Sequence, residues 1–257
     1  AMNIAIQKSK ADWIMRLDGH SIYPQSYLID LVQTAVKTGA ENVGGVWDVK
    51  NQGNTLSDYL VHALITHPFG VGNSGFRTGL KSGPVDTVPF GLYKKEVLVN
   101  AGGYDEKLVR NHDMELSKRL TESGGKIYLI PETSCNYFAR ETYRGLNKNN
   151  FKNGKWNMLT VYITRRFSSL SIRHFVPMLF VLSLIIPSLL SFLYFPFIYL
   201  STLSLLLYVL GITYFSASIN SNKTTFFHLF FGFLSLHFSY GLGSLIGLLS
   251  IPFVKRT

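Results

Sequence analysis

Acidic residues are missing from nearly a third of this 257-residue chain. From Phe175 to the C-terminus there is no aspartate or glutamate, and the only basic residues are Lys223, Lys255 and Arg256. A stretch with so little charge has no polar face to turn to water, which excludes an ordinary soluble domain for residues 175–257. Cysteine is nearly absent as well. Cys135, in PETSCNYF, stands alone, so the chain can form neither an internal disulfide nor a cysteine-based zinc cluster, as suits a cytosolic setting for the charged part. Its side chain reads as a small buried apolar one.

Three apolar runs fill the uncharged region, at residues 175–194, 197–217 and 226–253. Each is near or above the ~20 residues that cross a bilayer as a helix. Pro187 and Pro196 mark a kink and a tight connection. Gly241, Gly243 and Gly247 allow close packing, strong tilt or a break in the third run, so two or three spans fit equally.

The net charge of +10 has an address: residues 1–139 carry 14 basic and 14 acidic side chains, whereas residues 140–174 carry eight basic ones against Glu141 alone. Arg140, Arg144, Lys148 and Lys152 recur every four residues and form one stripe on a helix, with Lys155 close by. Aromatic and apolar residues are interleaved with it, Trp156 among them. Beside apolar runs, this pattern predicts an interfacial element over 140–174 lying on anionic headgroups, against the plainer reading of a solvated basic face. Nucleic acid is set aside as a partner because the stripe abuts the apolar runs. The positive-inside rule places residues 1–174 in the cytoplasm, and the whole reads as a multi-pass cell-membrane protein.

The first 139 residues alternate helix and strand. AMNIAIQK reads as a helix, with Asn3 as its cap, leading into a strand at 13–17; helical spacing follows to Gly39, then a strand in NVGGVWDV. A helix over 55–65, a strand and short helix in PVDTVPFGLYKKEVLVNAGG, a helix in VRNHDMELSKRLTESGG and a strand in KIYLIPE complete the series. Such alternation argues for an α/β sheet with its ligand site at strand ends. GVGNSG, at 70–75, spells a dinucleotide fingerprint but lacks the preceding strand and following apolar helix, and reads as a flexible loop.

WIMRLDGHS ends an apolar strand in an acid and a histidine two residues apart, so Asp18 and His20 point the same way and can share a cation; an Asp-Gly turn is the simpler alternative. At NHDMEL, Asp113 and Glu115 suit the first turn of a helix. These blocks, with HPFGVGNSGFRTG, VDTVPFGLYKKEVLVNAGGYDEKLVRNHDMELSKRL and FKNGKW, resemble the membrane-attached family 2 glycosyltransferases, particularly the succinoglycan-biosynthesis branch. The resemblance runs from the start to about Trp156.

That resemblance implies a partial glycosyltransferase A-type domain over 1–139, followed by the interfacial segment and a transmembrane helical region over 175–257. It puts Asp18 on the first acid of the family's Asp-x-Asp motif, with His20 in place of the second, together holding a divalent metal, Mn2+ or Mg2+, on the donor diphosphate. An imidazole ligand tilts the preference toward Mn2+. Asp113 takes the place of the general base. Asn149 falls near a family glutamine, and Trp156 reads more simply as an interfacial anchor. The implied reaction is inverting sugar transfer from a nucleotide-sugar donor to a lipid-linked or polysaccharide acceptor. The family's nucleotide-binding strands have no counterpart before Ala1, so the resemblance also leaves open a truncated, membrane-anchored binding protein without turnover.

Overall fold

The computed structural model describes residues 1–19, 21–72, 74–78, 81–139, 142–219 and 222–254. Its N-terminal part is a mixed sheet covered on both faces. In chain order it contains α1 (Met2–Lys8), β1 (Trp13–Met15), β2 (Ser21–Ile22), α2 (Tyr27–Thr38), β3 (Asn42–Lys50), α3 (Leu56–Thr66), α4 (Pro68–Val71), α5 (Gly75–Thr78), β4 (Gly83–Pro84), β5 (Leu92–Lys94), α6 (Lys95–Asn100), α7 (His112–Glu122) and β6 (Ile127–Phe138). The strands lie in the order β1-β5-β3-β6-β2, with β4 on β6. β5 is antiparallel to both β1 and β3, and β3 is parallel to β6. β1, β3 and β6 therefore finish on the same edge.

Burial follows the sequence pattern. Tyr27, Leu31 and Ala35 of α2 cover one face, packing with Val43, Leu92, Ile130 and Cys135. Leu98, Leu116, Leu120 and Ile6 cover the other around Tyr93. Pro131 has no N–H for the ladder, and residues 131–133 drop out of register with β3 between Gly45 and Val46. Gly45 is required there, since a Cβ would strike the Thr133 carbonyl. The helix 27–38 ends at Gly39, whose φ of 68° is the left-handed cap that glycine takes most readily.

Two sequence expectations need correcting. Asn3 is not a cap: it lies inside α1, donates to the Tyr104 carbonyl at 2.8 Å and accepts from the Tyr104 amide at 2.9 Å, tying the helix to the 100s loop. GVGNSG is not simply a loop. The preceding His67 caps α4 through its ring nitrogen, and Gly70 is pressed against the Leu64 carbonyl and the Phe233 ring. Phe69 stacks on Phe215 at 4.5 Å, so this segment is wedged among the C-terminal helices.

The basic segment forms α8 (Tyr143–Thr164), capped by Thr142, and two 3-10 turns, Phe167–Ser169 and Ile172–His174, lead to α9 (Val176–Leu190). At 15 residues α9 falls short of a full crossing. α10 (Phe197–Ser218) and α11 (Phe226–Ser250), the latter extended to Phe253, are long and apolar enough to cross a membrane. α9 and α10 form a hairpin held by serines: Ser188 donates to Ser201 at 3.0 Å, and Ser201 to the Leu184 carbonyl at 2.9 Å. α8 and α11 pack along a glycine seam. Cβ atoms at Gly154, Gly243 and Gly247 would meet backbone of Tyr240, Phe151 and Lys155 respectively. Small residues at such crossings let backbones approach closely.

Candidate active site

Beyond Met15 the chain leaves β1 through Arg16 and Asp18. Arg16 reaches to the start of α7, donating to Asp113 Oδ1 at 2.6 Å and to His112 Nε2 at 3.0 Å. The ion pair is partly open to solvent, its side chains 33% and 38% exposed. His112 Nε2 also lies 3.4 Å from Asp113 Oδ1. Among the described residues Asp113 Oδ2 has no hydrogen-bond partner. An oxygen held in place from one side and open on the other is the arrangement a proton acceptor needs.

Two phenols close the inner wall. Tyr104 packs edge-on against His112. Burial, reinforced by the charge of Asp113, pushes its hydroxyl up to about 12. Tyr93 is raised as well, through burial first and then Tyr104 and Asp113. Both therefore stay protonated at neutral pH. Burial lowers the Arg16 pKa, but Asp113 more than restores it, so the guanidinium keeps its charge.

The sequence also allowed Asp113 and Glu115 to be ordinary first-turn acids, and the structure separates them. Glu115 is buried and bound by Arg119 at 2.6 and 2.7 Å. Arg119 continues to the carbonyls of Ala101 and Gly103. Asp113 instead pairs across elements with Arg16. The start of α7 is fixed from below by α8: Asn111, at φ 63°, donates to Asn157 at 3.0 Å and Thr160 at 3.3 Å, while Arg110 donates to Asn149 at 3.1 Å and Asn153 at 2.6 Å. Asn157 is fully buried and also donates to the Tyr240 hydroxyl on α11 at 2.6 Å. Asn149 thus sits under the site as a support for Arg110.

The backbone amide of Asp18 donates to the Tyr23 hydroxyl at 2.9 Å, and Tyr23 packs edge-on against Tyr27 and Phe90. Nearby Cys135 is buried, its thiol raised to about 12 by burial above all, with smaller contributions from Asp18 and Asp48. His20 lies outside the described residues, as does Arg140. Among the described residues no group of three or more histidines, cysteines or acids could hold a metal. Asp18 still fits a cation of the kind held by one or two carboxylates plus substrate phosphates. Arg144, Lys148 and Lys152 are exposed together on α8, and Trp156 is partly buried.

One group escaped the sequence reading. Trp47 of β3 stacks on Tyr137 at 3.9 Å, and the largely buried Arg77 lies over the Trp47 ring at 4.5 Å. Burial holds the Arg77 pKa below its ordinary value, and no carboxylate lies within ion-pair distance of it among the described residues. Phe90, 5.7 Å from Trp47, has φ 49°, a strained value for a bulky side chain. The signal in the sequence was an arginine between glycine-rich turns, which nothing local explains.

The site is thus framed by a mixed α/β sheet, with Asp18 just beyond β1 and Asp113 at the start of α7 brought together through Arg16. The family described as Glycosyl transferase family 2 matches residues 1–100, the part of the chain that runs from α1 through α6. Succinoglycan biosynthesis protein ExoA of Rhizobium meliloti (strain 1021) is 32% identical over 142 residues, which are 54% of this chain and 42% of the relative. The match spans under half of that relative's length.

Proposed function

We propose that the chain acts in inverting glycosyl transfer, moving a sugar from a nucleotide-sugar donor to a lipid-linked or polysaccharide acceptor at the cytoplasmic face of the cell membrane during polysaccharide synthesis. The observation that carries this reading is the Arg16–Asp113 pair, which joins the strand end bearing Asp18 to the start of α7. Asp113 Oδ2 takes the proton of the acceptor hydroxyl as that oxygen attacks the anomeric carbon. The bond to the diphosphate breaks with its electrons leaving on the diphosphate, and the configuration inverts. Arg16 positions the base without neutralising its outward oxygen.

Asp18, with His20, would hold a divalent cation, Mn2+ or Mg2+, whose contribution when bound is to neutralise charge on the diphosphate. Arg77, over the Trp47 ring and without a carboxylate in ion-pair distance among the described residues, is a cation suited to an anionic part of either substrate. The exposed stripe of Arg144, Lys148 and Lys152, with Arg140 and Trp156, rests on anionic headgroups and keeps the cleft at the membrane surface. Membranes carrying the protein, supplied with labelled UDP-, GDP- and dTDP-sugars, should incorporate label from one of them with inverted anomeric configuration. Retained configuration, or incorporation no higher than in membranes lacking the protein, would contradict the assignment.

A further inference from the structure

Away from Asp113, on the far part of α7, a cavity of about 520 Å³ is lined by Lys118, Thr121 and Glu122 of that helix, Asp86, and the connector between α8 and α9, including Ser168 and Arg173. That volume is in the range of ligand pockets. Its place in the fold is distinctive. The connector runs straight into α9, and Phe167 and Ile172 are 78% and 82% exposed beside the pocket, as are Val176 and Leu179 at the head of α9, each at 55%. A cavity lined mostly by polar residues and rimmed by exposed apolar side chains at the foot of an apolar hairpin faces the headgroup layer once that hairpin is embedded.

The lining itself carries two acids, Asp86 and Glu122, and two bases, Lys118 and Arg173. Asp86 is taken by Arg173 at 2.8 Å and by the Ser171 hydroxyl at 2.5 Å, and Glu122 faces Arg166 at 3.5 Å. Lys118 has no carboxylate within ion-pair distance among the described residues, so with Arg166 answering Glu122 from outside the lining, the surroundings of the pocket hold three cations against two acids. His174, behind Arg173, registers that field: burial, then Arg173 and Lys118, bring it down to about 4, so it adds no charge at neutral pH. A phosphodiester carries a single negative charge and accepts hydrogen bonds from ammonium, guanidinium and hydroxyl groups.

We propose that this cavity is a phospholipid-headgroup site: Lys118 and Arg173 bind the phosphodiester of a membrane glycerophospholipid, Ser168 donates to it, and the acyl chains pass over Phe167 and Ile172. The proposal rests on the α9–α10 hairpin being embedded and is independent of sugar transfer. The full-length chain, purified in mild detergent and mixed with equal amounts of phosphatidylglycerol, phosphatidylethanolamine and diacylglycerol, would be examined by native mass spectrometry.

Phosphodiester lipids should be retained at a low whole-number stoichiometry and diacylglycerol should not. Lys118→Gln, which breaks no ion pair among the described residues, should reduce that retention about tenfold or more. Thr121→Trp should reduce it by filling the cavity while leaving Lys118 in place. Soluble glycerophosphoglycerol should displace the lipid only at concentrations far above the lipid's own, because the apolar rim contributes. Equal retention of diacylglycerol, unchanged retention in both variants, or displacement at matched concentration, which would indicate a site for free phosphate esters, would each overturn the proposal.

Discussion

The same one-carbon change should have opposite signs at two glycines of the C-terminal helices. Gly211 lies in α10 with nothing within 4 Å of where a Cβ would stand. Gly211→Ala there gains helix propensity and disturbs nothing, so it should stabilise the protein by about 0.5–1 kcal/mol. Gly154 lies in α8 against α11, and its Cβ would meet the Tyr240 carbonyl and stand 3.0 Å from the Ser244 amide. Both obstacles are backbone, so one helix must move. The seam is anchored on either side, by Tyr143 on Ser235 and Phe231, and by Asn157 on Tyr240. Overpacking of this kind costs about 1–3 kcal/mol, which outweighs the propensity gain. Gly154→Ala should therefore lower Tm by a few degrees and Gly211→Ala should raise it by a similar amount, at roughly 2–4 °C per kcal/mol for a chain of this size. Thermal unfolding in one detergent, followed by tryptophan fluorescence, makes the comparison. If Gly154→Ala unfolds at or above the Tm of Gly211→Ala, α8 and α11 do not pack through that seam.

Three further outcomes follow from the geometry. His174 is held down to about 4 by burial first and then by Arg173. A depressed folded pKa means its contribution is complete above the ordinary 6.5 and is lost as pH falls toward 4, a loss of about 3 kcal/mol that His174→Gln should remove from a Tm-versus-pH curve. Arg77→Met removes a buried cation that pairs with no carboxylate among the described residues, so Tm should stay level or rise while sugar transfer falls about tenfold or more; a fall in Tm with full activity would make Arg77 a structural residue. Asn157→Ala removes the nearer of the two acceptors of Asn111 and the amide that donates to Tyr240, and should cost about 3 kcal/mol in chemical unfolding, with kcat reduced through the displaced start of α7. A variant of wild-type stability would show that the clamp is dispensable.

Most of the sheet was legible because its helices and strands are local. α2 announces itself by Leu31 and Ala35 on one face and by the glycine that stops it, and β3 by a run of small and branched residues. The strand at 13–17 ends early, at Met15, because Arg16 turns away to Asp113, a contact 97 residues distant that no periodicity encodes. The candidate site was legible only as separate acids. Asp18 and Asp113 stand in recognisable strand-end and helix-start contexts, whereas Arg16, Asn111 and Asn157 carry no local signal and acquire their meaning from tertiary contact. The wedge at His67–Val71 was missed for a related reason: glycine and proline read as loop, but here glycine is needed because Phe233 and the Leu64 carbonyl crowd it. The first apolar run breaks into a 15-residue helix because the chain turns after Leu190, ahead of Pro196, sooner than its hydrophobicity alone suggests.

The central claim is that Asp113, positioned by Arg16, is the base of a sugar-transfer reaction. Turnover of the membrane-embedded protein should be measured for Asp113→Asn, Arg16→Gln and the double variant, with donor affinity determined in parallel. Asp113→Asn keeps the size of the side chain and the helix start but removes the proton acceptor, so kcat should fall ~10²-fold or more while donor affinity stays nearly constant. Arg16→Gln should lower kcat by a smaller factor. The double variant should be no slower than Asp113→Asn, because a positioning residue has nothing left to position. Near-normal turnover in Asp113→Asn, or losses that multiply in the double variant, would contradict the account.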